Sequence, residues 1–361
     1  MPSFPVLVRA CLIAFLAPVL AFAEPVSDSD VAAGAVAMAE RHRERIDGLL
    51  GDARQQGMAL LVIPTINLDA APRRDFDDEA TRDRYMRERS TLLHWNHTSE
   101  KGLAISAGQG DHKPDLLDIG PSFQTARGTL LYQVIPVWPG EYRLNRITYH
   151  QPRTALPDIE PGPGSLSSAD RLKKIGMAEL GYAVDADFKR TAGAPQSAQE
   201  ADDGLGQGCE VLLRLGGGCD EAAREFRWWI DMDRAFKQGK ADIARVPAID
   251  VDLAFSPIAA IKLEAGEAVL TDGFVLPVDQ PVITPEWCET MAADPICFID
   301  AITLKHLPAS LDDFRQAPSA ADFKLPKLEA ALHDLVYRAP TLYFKPQSDA
   351  APDLIRAVRE E

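Results

Sequence analysis

Two histidines three residues apart are the first feature able to do chemistry. His94 and His97 bracket Trp95-Asn96 in an H-x-x-H that would suit a metal if both rings shared a helix face. The apolar run just before them, Leu92 and Leu93, predicts a strand instead, on which residues three apart point to opposite faces. Downstream, a Gly-rich stretch beginning at Gly108 carries Asp111, Asp115 and, nearby, Asp118. Such a loop could hold calcium, a hard cation that takes carboxylate and backbone oxygen, or be an ordinary solvated loop. His94, His97, Asp111, Asp115 and Asp118 are therefore the candidate metal ligands. His94, His97, Asp111 and Asp115 are the first suspects for a hydrolase whose acid and base meet only in the fold. Asp250 with Asp252, and Asp231 with Asp233, are paired carboxylates on single elements. Glycoside hydrolysis needs its two acids held across a cleft, so outward solvation accounts better for both pairs. The sequence has no G-x-S-x-G and no S-x-x-K, and Ser106 lacks the preceding glycine of a nucleophile elbow. Gly216 to Gly218 runs into Cys219 with no lysine to follow, so it is no phosphate loop, and no cofactor is expected.

The elements that must position these residues begin with a leader. Residues 1–23 combine Arg9, an apolar run and Ala21-Phe22-Ala23, the pattern of a secretory signal peptide cleaved after Ala23. A periplasmic or secreted protein follows, with no integral membrane segment once the leader is gone. Four cysteines remain, and their short spacings favour two disulfides, Cys209–Cys219 and Cys288–Cys297. A four-thiolate zinc site would want two to four residues inside each pair, and these spacings are longer. The formal net charge of −16 over 361 residues repels phosphate backbones and anionic lipid, so nucleic-acid and membrane-surface partners are not expected.

Along the chain, residues 24–57 predict a helix with Ile46, Leu49 and Ala53 on its apolar stripe, and 58–63 a buried strand. Residues 75–89 predict a charged surface helix with Asp78 and Arg82, then Asp83 and Arg87, four apart. Segment 151–244 reads as an insertion: a helix over 168–180 capped by Ser168, a flexible polar stretch at 192–208, and a disulfide-closed helical piece. The tail, 307–361, reads as helices, the last over 352–359.

Two ribbons dominate. Pro139-Gly140 lies between β-branched and aromatic runs and predicts a tight turn facing Val137 with Tyr142 and Ile135 with Leu144. The apolar phase then flips to Ile147 and Tyr149, predicting a β-bulge near Asn145-Arg146 or a crossing between sheets. Ala265-Gly266 predicts a second hairpin facing Leu263 with Ala268 and Ile261 with Leu270. The PG-x-Y-x-L run at Pro139, Gly140, Tyr142 and Leu144, with Gly266, Glu267, Val269 and Gly273, resembles small β-sandwich modules of exported bacterial envelope proteins of unknown function. The expected fold is α+β: a β-rich sandwich from 58–150 and 245–306, an inserted helical, disulfide-closed segment and flanking helices. The expected role is that of a non-catalytic envelope accessory protein binding another protein or an envelope component. The alternatives are the hydrolase and a calcium-stabilised adhesin-like domain.

Overall fold

A computed structural model of the chain describes residues 40–41, 43–70, 75–109, 123–159, 166–190, 228, 231–278, 283–291, 294–316, 325–348 and 351–359. The leader, Asp111, Asp115, Asp118, Cys209, Cys219 and the 192–208 stretch lie outside these residues.

The fold is α+β and strand-rich. Its central strand is β1 (Ala59–Ile66), buried on both faces along almost its whole length. That explains a continuous apolar run where a half-wet strand would alternate. Beside β1 run β5 (Leu130–Val137), antiparallel, and β9 (Ala268–Leu270), parallel; β4 (Phe123–Arg127) and β14 (Val336–Tyr337) close the two edges. A second, larger sheet has the order β11 (Cys288–Met291), β12 (Asp294–Ile299), β7 (Gly176–Arg190), β8 (Ala241–Leu263), β6 (Gly140–Gln151), β2 (Leu92–His97), β3 (Ala104–Gly108). The short β15 (Thr341–Leu342) also pairs with β8. A third sheet joins β10 (Gly273–Val275), β13 (Ala301–Leu307), β17 (Ala351–Val358) and β16 (Pro346–Ser348).

One apolar core fills the space between these sheets. It contains Leu61 and Ile135 of the first, Trp95, Tyr142, Ile147 and Leu253 of the second, and Leu304 and Ile355 of the third. The opposite face of the first sheet, with Leu60, Val62 and Tyr132, packs on helical residues 43–51, α3 (Leu311–Gln316) and α4 (Pro326–Ala331). In the N-terminal helix Ile46 and Leu50 are buried and Leu49 is exposed, a one-residue correction to the expected stripe.

Both expected hairpins are corners between sheets. β5 pairs with β1 and β4, β6 with β2 and β8, so Val137 faces Ala59 and Tyr142 faces Ile261. β8 and β9 separate in the same way at Ala265-Gly266, where Ala268 pairs with Leu60. The cause lies in the strands themselves. β5 is apolar on both faces and needs cover on both, which the first sheet has between the core and the helices, whereas β6 alternates and suits a sheet with one wet side. The two corners adjoin, since Gly140 pairs with Leu263. Gly140 has φ 153°, and a Cβ there would fall 1.9 Å from His97 Nε2, so the corner requires glycine. The ribbons thus share one layered core, with Tyr142 and Leu263 both buried in it. The bulge falls where the apolar phase flips: β6 breaks register between Leu144 and Arg146 against β8, and β2 breaks opposite it between His94 and Trp95. That irregularity keeps Leu144 and Ile147 on the core side of one strand.

Three further expectations change. Segment 151–244 contributes β7 to the large sheet, and its helix α2 (Ser168–Leu172) is capped by Ser167 and stops well before residue 180. There the alternation Ala178, Leu180 against exposed neighbours is a strand's, not a helix's. Residues 352–359 lie largely in β17, with Ile355 and Ala357 facing the core at period two. The helix expected over 75–89 is α1 (Glu79–Ser90), capped by Asp78, whose side chain accepts from Thr81 N at 2.9 Å. It is no surface helix: Arg82 and Tyr85 are buried, and Arg82, Asp83 and Arg87 bond to Asp187, Arg153 and the Val278 carbonyl on other elements. Cys288 and Cys297 face each other across β11 and β12 and form the expected disulfide.

Candidate functional site

The side chains with chemical potential gather on the outer face of the large sheet. Along β6 that face presents Arg146, Thr148 and His150, because the core takes Ile147 and Tyr149. At one end His94 sits between two hydroxyls, with Nδ1 2.9 Å from Ser106 Oγ and Nε2 2.8 Å from Thr148 Oγ1. Burial, reinforced by the nearby Arg146 charge, pushes its pKa down to about 4, so the ring is neutral. Arg146 itself forks onto Asp252, Nε to Oδ1 at 2.7 Å and Nη2 to Oδ2 at 2.5 Å. His97 points elsewhere. Its Nδ1 accepts from the N–H groups of Ser99 at 3.2 Å and Glu100 at 2.9 Å, and its ring meets Tyr142 edge-on, bracing the Pro139-Gly140 corner. The two imidazoles of the H-x-x-H therefore do not converge.

At the other end lies a feature that sequence reasoning missed. His150 is clamped between strands, Nδ1 2.9 Å from Asp250 Oδ1 on β8 and Nε2 2.9 Å from Asp185 Oδ2 on β7. Burial opposes charge on the ring, but hydrogen bonds and charge from Asp185 and Asp250 outweigh it and raise the pKa. With a carboxylate at each nitrogen, both ring positions are engaged, and the protonated ring donates to both. Ser90, at the end of α1, accepts from His150 N at 2.9 Å and pins the helix over the clamp.

Two residues further along β7, Asp187 is almost fully buried and holds two arginines. Arg82 Nη2 donates to Oδ1 at 3.0 Å, and Arg153 donates through Nη1 and Nη2 at 2.7 Å each. Burial would raise the Asp187 pKa; the pair of guanidinium groups overrides it and lowers the value. Arg153 also reaches Asp83, and Arg82 lies 4.7 Å from the Trp228 ring centroid. A second dyad stands in the third sheet. Asp272 accepts from His306 Nε2 at 2.8 Å, Ala309 N at 2.8 Å and Tyr337 OH at 2.9 Å, which together hold its pKa down against burial.

Of the expected site residues, His94 and His97 are thus separated by the sheet, and Asp111, Asp115 and Asp118 lie outside the described residues. Among the described residues no three His, Cys, Asp or Glu side chains are arranged to hold a metal. Asp250 and Asp252, expected as solvated, engage His150 and Arg146. Asp231 and Asp233 form surface pairs with Arg234 and Lys237, in keeping with solvation. Alternation in the sequence does put His150, Arg146 and Asp250 on polar faces; it does not say that 35 and 100 residues of chain return Asp185 and Asp250 to one ring.

The reverse side of β7 and β8 is different in kind. β12 leaves β7 at Glu179 and β6 leaves β8 at Ile249, so beyond those points the two strands pair, among the described residues, only with each other. One face of this ribbon carries Asp185 and Asp187 and is covered by the clamp and α1. The other displays Tyr182, 65% exposed, and Val184, 44%, with Pro247 opposite Val184; beyond them the exposed Arg245 pairs with Ala186 and separates Ile243, 41% exposed, from the pair. Among the described residues no helix is long and apolar enough to cross a membrane. Comparison with protein-family models, with curated proteins and with solved structures finds no match to this chain.

Proposed function

We propose that this is an exported, non-catalytic protein of the cell envelope, periplasmic or secreted, that binds another protein or an envelope component through the β7–β8 ribbon. The exposed apolar side chains of Tyr182 and Val184, with Pro247 opposite Val184, carry this reading. A soluble domain seldom exposes adjoining large apolar side chains without a use for them, and here the sheet's core-facing phase continues past the last strand that packs on it. The chemistry-bearing side chains support the same conclusion, since His94, His150 and Asp187 are spent on internal partners. Export rests on the leader pattern of residues 1–23, and the Cys288–Cys297 disulfide suits an oxidising compartment.

The test is site-specific photo-cross-linking in envelope extracts. A cross-linker at Val184 is expected to give a discrete adduct that Tyr182→Lys removes, while one at the exposed Arg356 on the third sheet gives none. Equal labelling from both positions, or none from Val184, would overturn the reading.

A further inference from the structure

The exposed face of the β7–β8 ribbon is set apart by its charge. The register places Tyr182 beside Ile249, Val184 beside Pro247 and Ala186 beside Arg245, and successive residues turn to opposite faces, so these rows share one side. Asp185, Asp187, Asp242 and Asp250 fall in the other phase, the one that turns Asp185 and Asp250 to His150 and Asp187 to Arg82 and Arg153. From the Leu180–Val251 row to the Phe188–Ile243 row the exposed side therefore carries a single charged residue, Arg245, and no acid. In a chain with 54 Asp and Glu against 38 Lys and Arg, a face that only needed wetting would more readily carry an acid. Arg245 is exposed, and among the described residues it has neither an ion-pair nor a hydrogen-bond partner. The face is thus apolar at Tyr182, Val184 and Pro247 and cationic one row further on.

We propose that this face docks an acidic amphipathic helix of a partner protein, which rests on the binding role above and specifies its partner. Shape favours a helix. Neighbouring strands lie about 4.8 Å apart and a helix with its side chains is about 10 Å across, so one helix covers both strands of the ribbon. The step from Tyr182 to Ala186 spans about 13 Å of strand, the length of about nine helical residues. Charge fixes the rest. The helix needs an apolar stripe against Tyr182, Val184 and Pro247, and beside the stripe a glutamate or aspartate onto which Arg245 can fork. Tyrosine and arginine are among the residue types that most often dominate binding energy at interfaces. The same face of a second copy offers Arg245 no carboxylate, so an isologous pair would leave both arginines unmatched.

The experiment uses the whole mature protein and three end-blocked, fluorescently labelled peptides of about eighteen residues, long enough to form helix in water. The first sets leucine along one stripe with glutamate on its flanks. The second replaces every glutamate by lysine, and the third keeps the composition of the first but scatters the leucines. By fluorescence anisotropy the first is expected to bind about tenfold more tightly than either of the others. Arg245→Glu is expected to reverse the order of the first two; should that variant fold poorly, Arg245→Gln is expected to erase the difference between them. Equal binding of the first two, tighter binding of the lysine peptide, binding that survives scattering of the leucines, or no binding at all overturns the proposal. So does a sedimentation mass that doubles with concentration in the unaltered protein but not in Tyr182→Lys, which would mean that a second copy occupies the face. Should Val184 cross-link to a partner equally well in Arg245→Glu while no peptide binds, the binding role survives and the acidic helix falls. Should the acidic peptide bind while Val184 gives no adduct, the surface chemistry stands and the envelope partner falls; should both fail, both fall.

Discussion

His94 and His150 stand on one face of one sheet, at opposite ends of the run that Arg146 and Thr148 connect, and their surroundings shift their pKa values in opposite directions. His94 is held by two hydroxyls beside an arginine, and burial sets its pKa at about 4. His150 is buried, yet hydrogen bonds and charge from two carboxylates raise its pKa. Burial alone therefore does not decide the charge of a ring here; the neighbouring strand does. The difference also marks a division of labour. The His94 end belongs to the closed sandwich, whereas the charged end fastens the base of a ribbon that leaves it, through Asp185, Asp187, Arg153 and α1.

The largest expected effect breaks the charged end at the buried acid that holds two arginines. Asp187→Ala would leave Arg82 buried without its carboxylate, and losing one partner of a buried pair costs about 3–5 kcal/mol. Urea denaturation would measure it. A loss under about 1 kcal/mol would mean that water replaces the carboxylate and that the ribbon base is open. His150→Gln comes next at about 1–3 kcal/mol, since it removes the charge-assisted hydrogen bonds to Asp185 and Asp250.

Acidity separates the two ends more sharply than size of effect. The His150 pKa is raised, so its contribution is complete below the unfolded value near 6.5 and disappears as pH rises through the folded pKa. The His94 pKa is lowered, so its contribution is complete above about 6.5 and disappears as pH falls towards about 4. The stability gap between wild type and His150→Gln is thus expected to narrow in alkali, and the gap for His94→Gln to narrow in acid. Parallel pH profiles would show that the two rings share one electrostatic environment.

How much of this was legible depends on the range of the interaction. Alternation in β6 located the core face, and the phase change at Asn145-Arg146 located the bulge, because both are set by neighbours along the chain. Pro139-Gly140 gave the turn but not its partner strands. The deciding signal was the doubly buried composition of β5 against the alternation of β6, which the turn residues do not carry. In the tail, Ile355 and Ala357 at period two were overridden by a proline that looked like a helix start. Asp187 was illegible for another reason. The second acid of Val184-Asp185-Ala186-Asp187 looks solvated until Arg82, 105 residues earlier, and Arg153, 34 residues earlier, arrive beside it.

The smallest expected effect sharpens the neutral end. Ser106 and His94 are within hydrogen-bond reach, which is how a serine nucleophile and its base would look. A base needs a pKa near the working pH, and a ring at about 4 whose second nitrogen is also engaged by Thr148 is a poor one. If the hydroxyl only props the ring, Ser106→Ala removes one hydrogen bond and costs about 0.5–1.5 kcal/mol, while hydrolysis of an activated aryl ester stays at the level given by the unaltered protein. If the pair is catalytic, the same substitution abolishes a measurable esterase activity and barely moves the denaturation midpoint. The two readouts move in opposite senses, so one variant decides whether the quiet end of the sheet is scaffold or site.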